Sequence, residues 1–263
     1  MTRLTLDLLR RSCTALGWWL LGIGVMGVYV IAVYDSLGTI EDLRKLYANY
    51  PESVRELFGN VDIGTMDGWI HLELLSWMPL VLGLYGGIFA AGAISRETEQ
   101  RTIDFILGLP VSRTQFIGSR LIAGLVNIAV ICLVIFLLMV VGLPLVGHTP
   151  SADRYALALL NAYLLGAALF TAYAFIASFT DEQARLTGIT IGATLVLYIA
   201  TAALNAAGAP EWLQWVSPFE HYHSAEAMSG REMPVLPLLG LFSGAVIGAA
   251  AAVYSYNRRD IAT

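Results

Sequence analysis

Long apolar runs free of charge alternate along this chain with short polar stretches, and the length of the runs decides the solvent. A helix that crosses the hydrocarbon core of a bilayer needs about 20 mostly apolar residues. Six runs reach that length without one Asp, Glu, Lys or Arg: Ser12 to Tyr34, Leu74 to Ser95, Leu121 to Gly147, Tyr155 to Thr180, Leu186 to Pro210 and Met233 to Asn257. The pattern predicts an all-α polytopic membrane protein, one domain over residues 1–263, with spans over residues 13–34, 74–95, 121–143, 156–179, 186–208 and 236–257. Composition agrees, at 57% hydrophobic and only 13% charged residues with a mean hydropathy of +0.68. An even number of spans puts both termini on one side.

Basic residues assign that side, because Lys and Arg near span ends are retained in the cytoplasm. With the termini inside, ten of the fifteen basic residues are cytoplasmic: Arg3, Arg10, Arg11, Arg96, Arg101, Arg113, Arg120, Arg185, Arg258 and Arg259. The outer segments hold Arg44, Lys45, Arg55, Arg154 and Arg231, together with thirteen of the twenty acidic residues. The net charge of −5 therefore describes an acidic outer face and carries no message about nucleic acid. Arg10 and Arg11 ahead of an apolar run imitate a secretory signal, but the run is too long for one and reads as a retained first span. Cys13 at a membrane edge and Cys132 inside the third run form no disulfide framework.

The segments between spans differ in kind. The outer loop over residues 35–73 places Ile40, Leu43 and Leu46, then Val54, Leu57 and Phe58, at helical spacing, which predicts two short amphipathic helices capping the membrane surface. In the outer segment over 210–232, Trp212, Trp215, Phe219 and Tyr222 recur every three or four residues around Pro218, as an interfacial or re-entrant aromatic face. Glu220, His221, His223 and Glu226 lie beside it. His-x-His alone lacks further ligands at a diagnostic spacing, so no metal site is assigned and the four read as surface polar residues.

Two spans carry patterns of their own. Thr187, Thr190, Thr194, Tyr198, Thr201 and Asn205 form one polar stripe along the fifth, which either glues helices together or lines a passage. Asn127 and Asn161 in the third and fourth spans either face the same interior or satisfy neighbouring backbone. Gly240, Gly244, Gly248 and Ala252 in the last span make a ridge of small residues suited to close helix packing, a theme repeated by Gly83, Gly87 and Ala91 and by Gly188 and Gly192.

Absences narrow the function. Ion-coupled carriers keep ionisable groups inside the membrane, and none of the six runs contains Asp, Glu, Lys or Arg. Neither a His-Glu-x-x-His zinc motif nor a Gly-x-Ser-x-Gly elbow is present. A phosphate loop needs a Lys after its glycines, and Lys45, the one lysine, sits in the outer loop. The chain is therefore expected to be no enzyme and no motor by itself.

The inner segment from Ser95 to Arg113 opens with Arg96, Glu97, Glu99 and Arg101 and ends in an apolar tip of Phe105, Ile106, Leu107 and Leu109 before Pro110. Gly108 and Pro110 stop one helix, and Ser112 with Gln115 reads as the capping box that starts the next. Such a corner either docks a soluble partner or lies flat on the lipid surface.

This segment is similar to the inner segment of permease subunits of the type-2 class of ATP-binding-cassette transporters. Ile94-Ser95-Arg96-Glu97, then Arg101-Thr102, then Leu109-Pro110-Val111-Ser112-Arg113 match the family's acidic start, Gly-Thr step and Leu-Pro-x-Ser-Arg end, with Arg101 in place of the usual glycine. The resemblance extends over an amphipathic N-terminal stretch (Thr2 to Ser12), six spans, a long first outer loop and a helical insertion before the sixth span. It implies a half-permease of the cell membrane that pairs with a second permease chain, identical or related, above two separate ATPase subunits.

The same resemblance implies that residues 96–113 act as the coupling helix, with Phe105, Ile106 and Leu109 entering the ATPase. Arg96, Glu97 and Glu99 would form ion pairs on it or near Arg10 and Arg11. The second and fifth spans, with the stripe, would line the pathway. ATP and Mg would belong to the partner, this chain binding no cofactor, and the direction would be export. A pathway with hydroxyls and no fixed charge suits an amphipathic or lipid-like cargo such as a hydrophobic antibiotic or peptide. A membrane scaffold or sensor that recruits a signalling partner is the alternative from another class.

Overall fold

The computed structural model describes residues 2–34, 36, 44–45, 49, 61–95, 112–180 and 182–258, which form helices and turns without a strand. Among the described residues six helical stretches are long and apolar enough to cross a membrane, as the runs predict. Most of the coupling segment, the tip and the amphipathic positions of the first outer loop lie outside the described residues.

Helix α1 (Thr2–Tyr34) carries the amphipathic N-terminal stretch straight into the first span. The second span begins at Met66, eight residues before its charge-free run. Thr65 caps α2 (Met66–Glu73), its hydroxyl accepting the Gly68 N–H, and the polar first turn is thereby absorbed into the helix. A 3₁₀ turn at Leu75–Trp77 joins α2 to α3 (Met78–Ala90), whose first turn holds Pro79. Proline has no N–H to give and is tolerated there. The span ends in a π-helical turn, Ala91–Ser95.

The third span, α4 (Arg113–Leu145), starts on the capping box read from the sequence: Ser112 Oγ accepts the Gln115 N–H, and Gln115 Oε1 accepts the Ser112 N–H, both at 3.2 Å. Helices α5 (Ala152–Ala177) and α6 (Gln183–Ala206) follow. Gly208 takes a φ of 61° to end α6, a left-handed turn that glycine adopts without a Cβ penalty. Short helices α7 (Glu211–Gln214) and α8 (Ser224–Met228) flank a 3₁₀ turn at Pro218–His221, and α9 (Val235–Arg258) completes the set.

Burial sorts the spans into a centre and a rim. In the second and fourth spans 61% of the hydrophobic window is buried, against 17% to 33% in the other four. Helices α3 and α5 pack together at the centre, α4 and α9 lie against α5, α1 against α4, and α6 against α3. The two ends differ in character. The cap end gathers residues 61–66, 147–151 and 207–234. The termini end gathers the start of α1, the π turn, the start of α4 and the end of α9.

Candidate functional site

The stripe of the fifth span and the small residues of the second turn out to be partners. A Cβ on Gly83 would stand 2.7 Å from Thr194 Cγ2, and one on Gly87 would stand 2.6 Å from Thr190 Cβ, so only glycine permits this approach. Thr190 and Thr194 are fully buried, and the Thr194 hydroxyl meets Tyr173 Oη of α5 at 2.6 Å. Their hydroxyls also bond back to the carbonyls of Thr187 and Thr190, as Thr187 does to Gln183. Gly188 and Gly192 face open space.

Towards the cap end the stripe opens. Tyr198, Thr201 and Asn205 line a cavity of about 270 Å³ with His71, Tyr222 and Glu226. Thr201 Oγ1 lies 2.5 Å from Ser217 Oγ, and Asn205 donates to Glu220 Oε2 at 2.8 Å. The floor is held by Asn161: its amide donates to the His221 carbonyl at 3.1 Å and accepts the His223 N–H at 2.7 Å. Tyr222 Oη donates to the Leu75 carbonyl at 2.8 Å. Asn161 thus satisfies backbone, one of the two roles open to it. Asn127 donates to Ser12 Oγ at 3.2 Å.

The aromatic face of the segment over 210–232 is split by Pro218. Phe219 is buried, edge-on to Tyr198 at 5.6 Å, whereas Trp212 and Trp215 remain exposed. Glu220, His221, His223 and Glu226 are half-buried and not plain surface groups. Burial, and then the neighbouring His223, push the His221 imidazole below its ordinary pKa. Burial pushes the Glu226 carboxyl up, but His223, a backbone N–H and Arg231 outweigh it and leave the group below its usual value. No trio of His, Cys, Asp or Glu arranged to hold a metal exists among the described residues.

A second polar cluster closes the cap end. Asp67 accepts hydrogen bonds from Ser151 at 2.8 Å and Tyr155 at 2.5 Å, with Arg154 at 3.5 Å, and Arg154 also donates to the Met228 carbonyl. Arg44 and Asp62 pair at 2.6 Å, which holds the Asp62 carboxyl below its usual range.

At the termini end stands Arg120, which the sequence presents only as one more flanking positive charge. It is 3% exposed. Its Nε donates to the Ala93 carbonyl in the π turn at 3.3 Å, its Nη1 donates to Ser119 Oγ at 2.8 Å, and its guanidinium lies 3.5 Å over the Phe116 ring. Phe116 stacks on Tyr256 of α9 at 5.4 Å, and Thr114 exchanges hydrogen bonds with Asn257. The described residues on either side of the 96–111 gap are therefore clamped to one another. Arg96, Glu97, Glu99, Phe105, Ile106 and Leu109 lie within that gap, outside the described residues.

In the ridge of the last span Gly244 and Gly248 face α5, and Gly240 faces His221. A Cβ on Gly248 would stand 2.7 Å from Thr171 Oγ1, whereas one on Gly244 or Gly240 would have 3.9 Å to its nearest neighbour. Ala252 is fully buried. Cys13 is exposed and Cys132 buried, both free thiols.

Six packed spans with a polar cluster at either end define a multi-pass membrane protein. Residues 10–261 match the model of the ABC-2 family transporter proteins, and the chain belongs to that family. No curated protein matches the chain.

Proposed function

We propose that this chain is the membrane-spanning half of an ATP-driven exporter, working as a pair of permease chains above two separately made ATPase subunits that hold the ATP and Mg. The observation that carries this reading is a family match over 10–261 in a chain whose one lysine, Lys45, has no phosphate loop around it. The energy then comes from a partner.

Closure of the paired ATPases would reach the membrane through residues 96–113, with Phe105, Ile106 and Leu109 seated in the ATPase and Arg96, Glu97 and Glu99 as its ionic rim. Arg120 supports this reading as a positioning residue, because it ties the π turn before that segment to the helix after it. In the stripe, the buried Thr190 and Thr194 hold the fifth span to the second, and Tyr198, Thr201 and Asn205 at the cavity are the positions proposed to meet cargo. An amphipathic or lipid-like cargo suits a cavity that sets the hydroxyl and aromatic groups of Tyr198, Thr201, Phe219 and Tyr222 beside the polar groups of His71, Glu220, His223 and Glu226.

Mild-detergent purification is expected to bring down an ATP-hydrolysing companion. In the reconstituted complex Leu109→Asp abolishes cargo-stimulated hydrolysis while the variant keeps wild-type amounts in the membrane. Full coupling in that variant removes the docking role.

A further inference from the structure

An apolar crevice runs along the membrane-facing side of α1 and the second span, with a volume of about 390 Å³, in the range of small-molecule sites. Ile23, Leu74 and Met78 are its buried floor, and Trp18, Trp19 and Trp77 its aromatic walls. Trp19 is braced edge-on against Tyr85 at 5.7 Å. Gly22 leaves the middle open, since a Cβ there would meet nothing within 4 Å.

Among the described residues one charged group lines this crevice, the carboxyl of Glu73. It has no hydrogen-bond donor and no cation beside it among the described residues. Its position is unusual for a carboxylate. Asp67 marks the polar cluster of the cap end, and Glu73 lies six residues further along the second span, about 9 Å deeper at 1.5 Å per residue. A carboxylate set against an apolar surface is costly unless a cation meets it.

The crevice has a direction. Glu73 and Met26 stand nearest the cap end, and the walls continue through Trp77 and Gly22 to Val81 and Trp18, about 12 Å further by the same rise. An acid at one end, an apolar trench below it and tryptophan faces along it complement a single-chain amphiphile with a cationic head. An anionic head would meet a like charge, and a neutral one would leave the carboxylate without a cation among the described residues.

We propose that this crevice binds a long-chain ammonium amphiphile, its head on Glu73 with the Trp77 face as cation–π neighbour and its chain in the trench between Trp18 and Trp19. The site deepens the exporter reading by giving the cargo a charge, yet binding needs neither the ATPase nor transport. A failed binding test leaves the exporter reading standing, and an inactive complex leaves the binding result standing.

The test uses the full chain in phosphatidylcholine nanodiscs and reads quenching of tryptophan by dodecyltrimethylammonium brominated on its chain, beside sulfate-headed and maltoside-headed analogues with the same tail. The cation quenches at a concentration lower by about tenfold than either analogue. Glu73→Gln removes that preference to within about twofold, and Glu73→Asp keeps it. Gly22→Leu, which fills the trench without touching the carboxylate, weakens all three probes. Equal quenching by the three heads in the wild type, an undiminished cation preference in Glu73→Gln, or insensitivity to Gly22→Leu overturns the proposal.

Discussion

Asn161 is one amide that fixes two backbone groups on a segment 60 residues away in sequence. It is fully buried, so removing it leaves the His221 carbonyl and the His223 N–H without their partner where water is scarce. Asn161→Leu is therefore expected to cost about 1 to 3 kcal/mol, the penalty of two backbone groups left unsatisfied in a half-buried segment. The measurement is a lowered melting temperature together with faster protease cleavage near residues 217–224. Unchanged melting would mean that the segment is held by Tyr222 and Phe219 alone. Asn205, at the mouth of the same cavity, offers the contrast: its bond to Glu220 is exposed, so its loss strands no buried group.

At the scale of helices, the spacings were legible and the pairings were not. The runs Gly83, Gly87 and Thr190, Thr194 each announce a face, because residues three or four apart share one side of a helix. Which face meets which depends on how α3, α5 and α6 nest, and no local pattern encodes that. The ridge of α9 makes the same point in graded form. A methyl group at Gly248 collides with Thr171, whereas at Gly240 it reaches only ordinary contact distance at 3.9 Å. Gly248→Ala is expected to destabilise the chain by about 1 to 3 kcal/mol through overpacking, and Gly240→Ala to leave it within about 0.5 kcal/mol. Thermal melting of the two variants in the same detergent checks this. Equal melting would show that α9 shifts along α5 at no cost.

Taken whole, the six spans were readable because run length alone separates a bilayer-crossing helix from a soluble one, and the start of the second span shows the rule's limit. Met66 to Glu73 reads as loop because Asp67 and Glu73 interrupt the apolar run. It folds as helix because Ser151, Arg154 and Tyr155, far along the chain, satisfy Asp67. Arg120 deceived in the opposite sense, as a flanking charge that is buried and bonded to the π turn. Discounting it, and discounting Arg154 because Asp67 pairs with it, removes one basic residue from each side and leaves the excess at the termini end intact. That excess predicts which end receives the ATPases. In a chain with Cys13 and Cys132 replaced by Ala, single cysteines at Ser36 and Ser229 of the cap end should react with a membrane-impermeant maleimide on intact cells. A cysteine at Thr2 should react only after permeabilisation. All three positions are exposed, so access to the reagent is decided by the side of the membrane and not by burial. Labelling of Thr2→Cys alone in intact cells would invert the molecule and place residues 96–113 where no cytoplasmic motor can reach them.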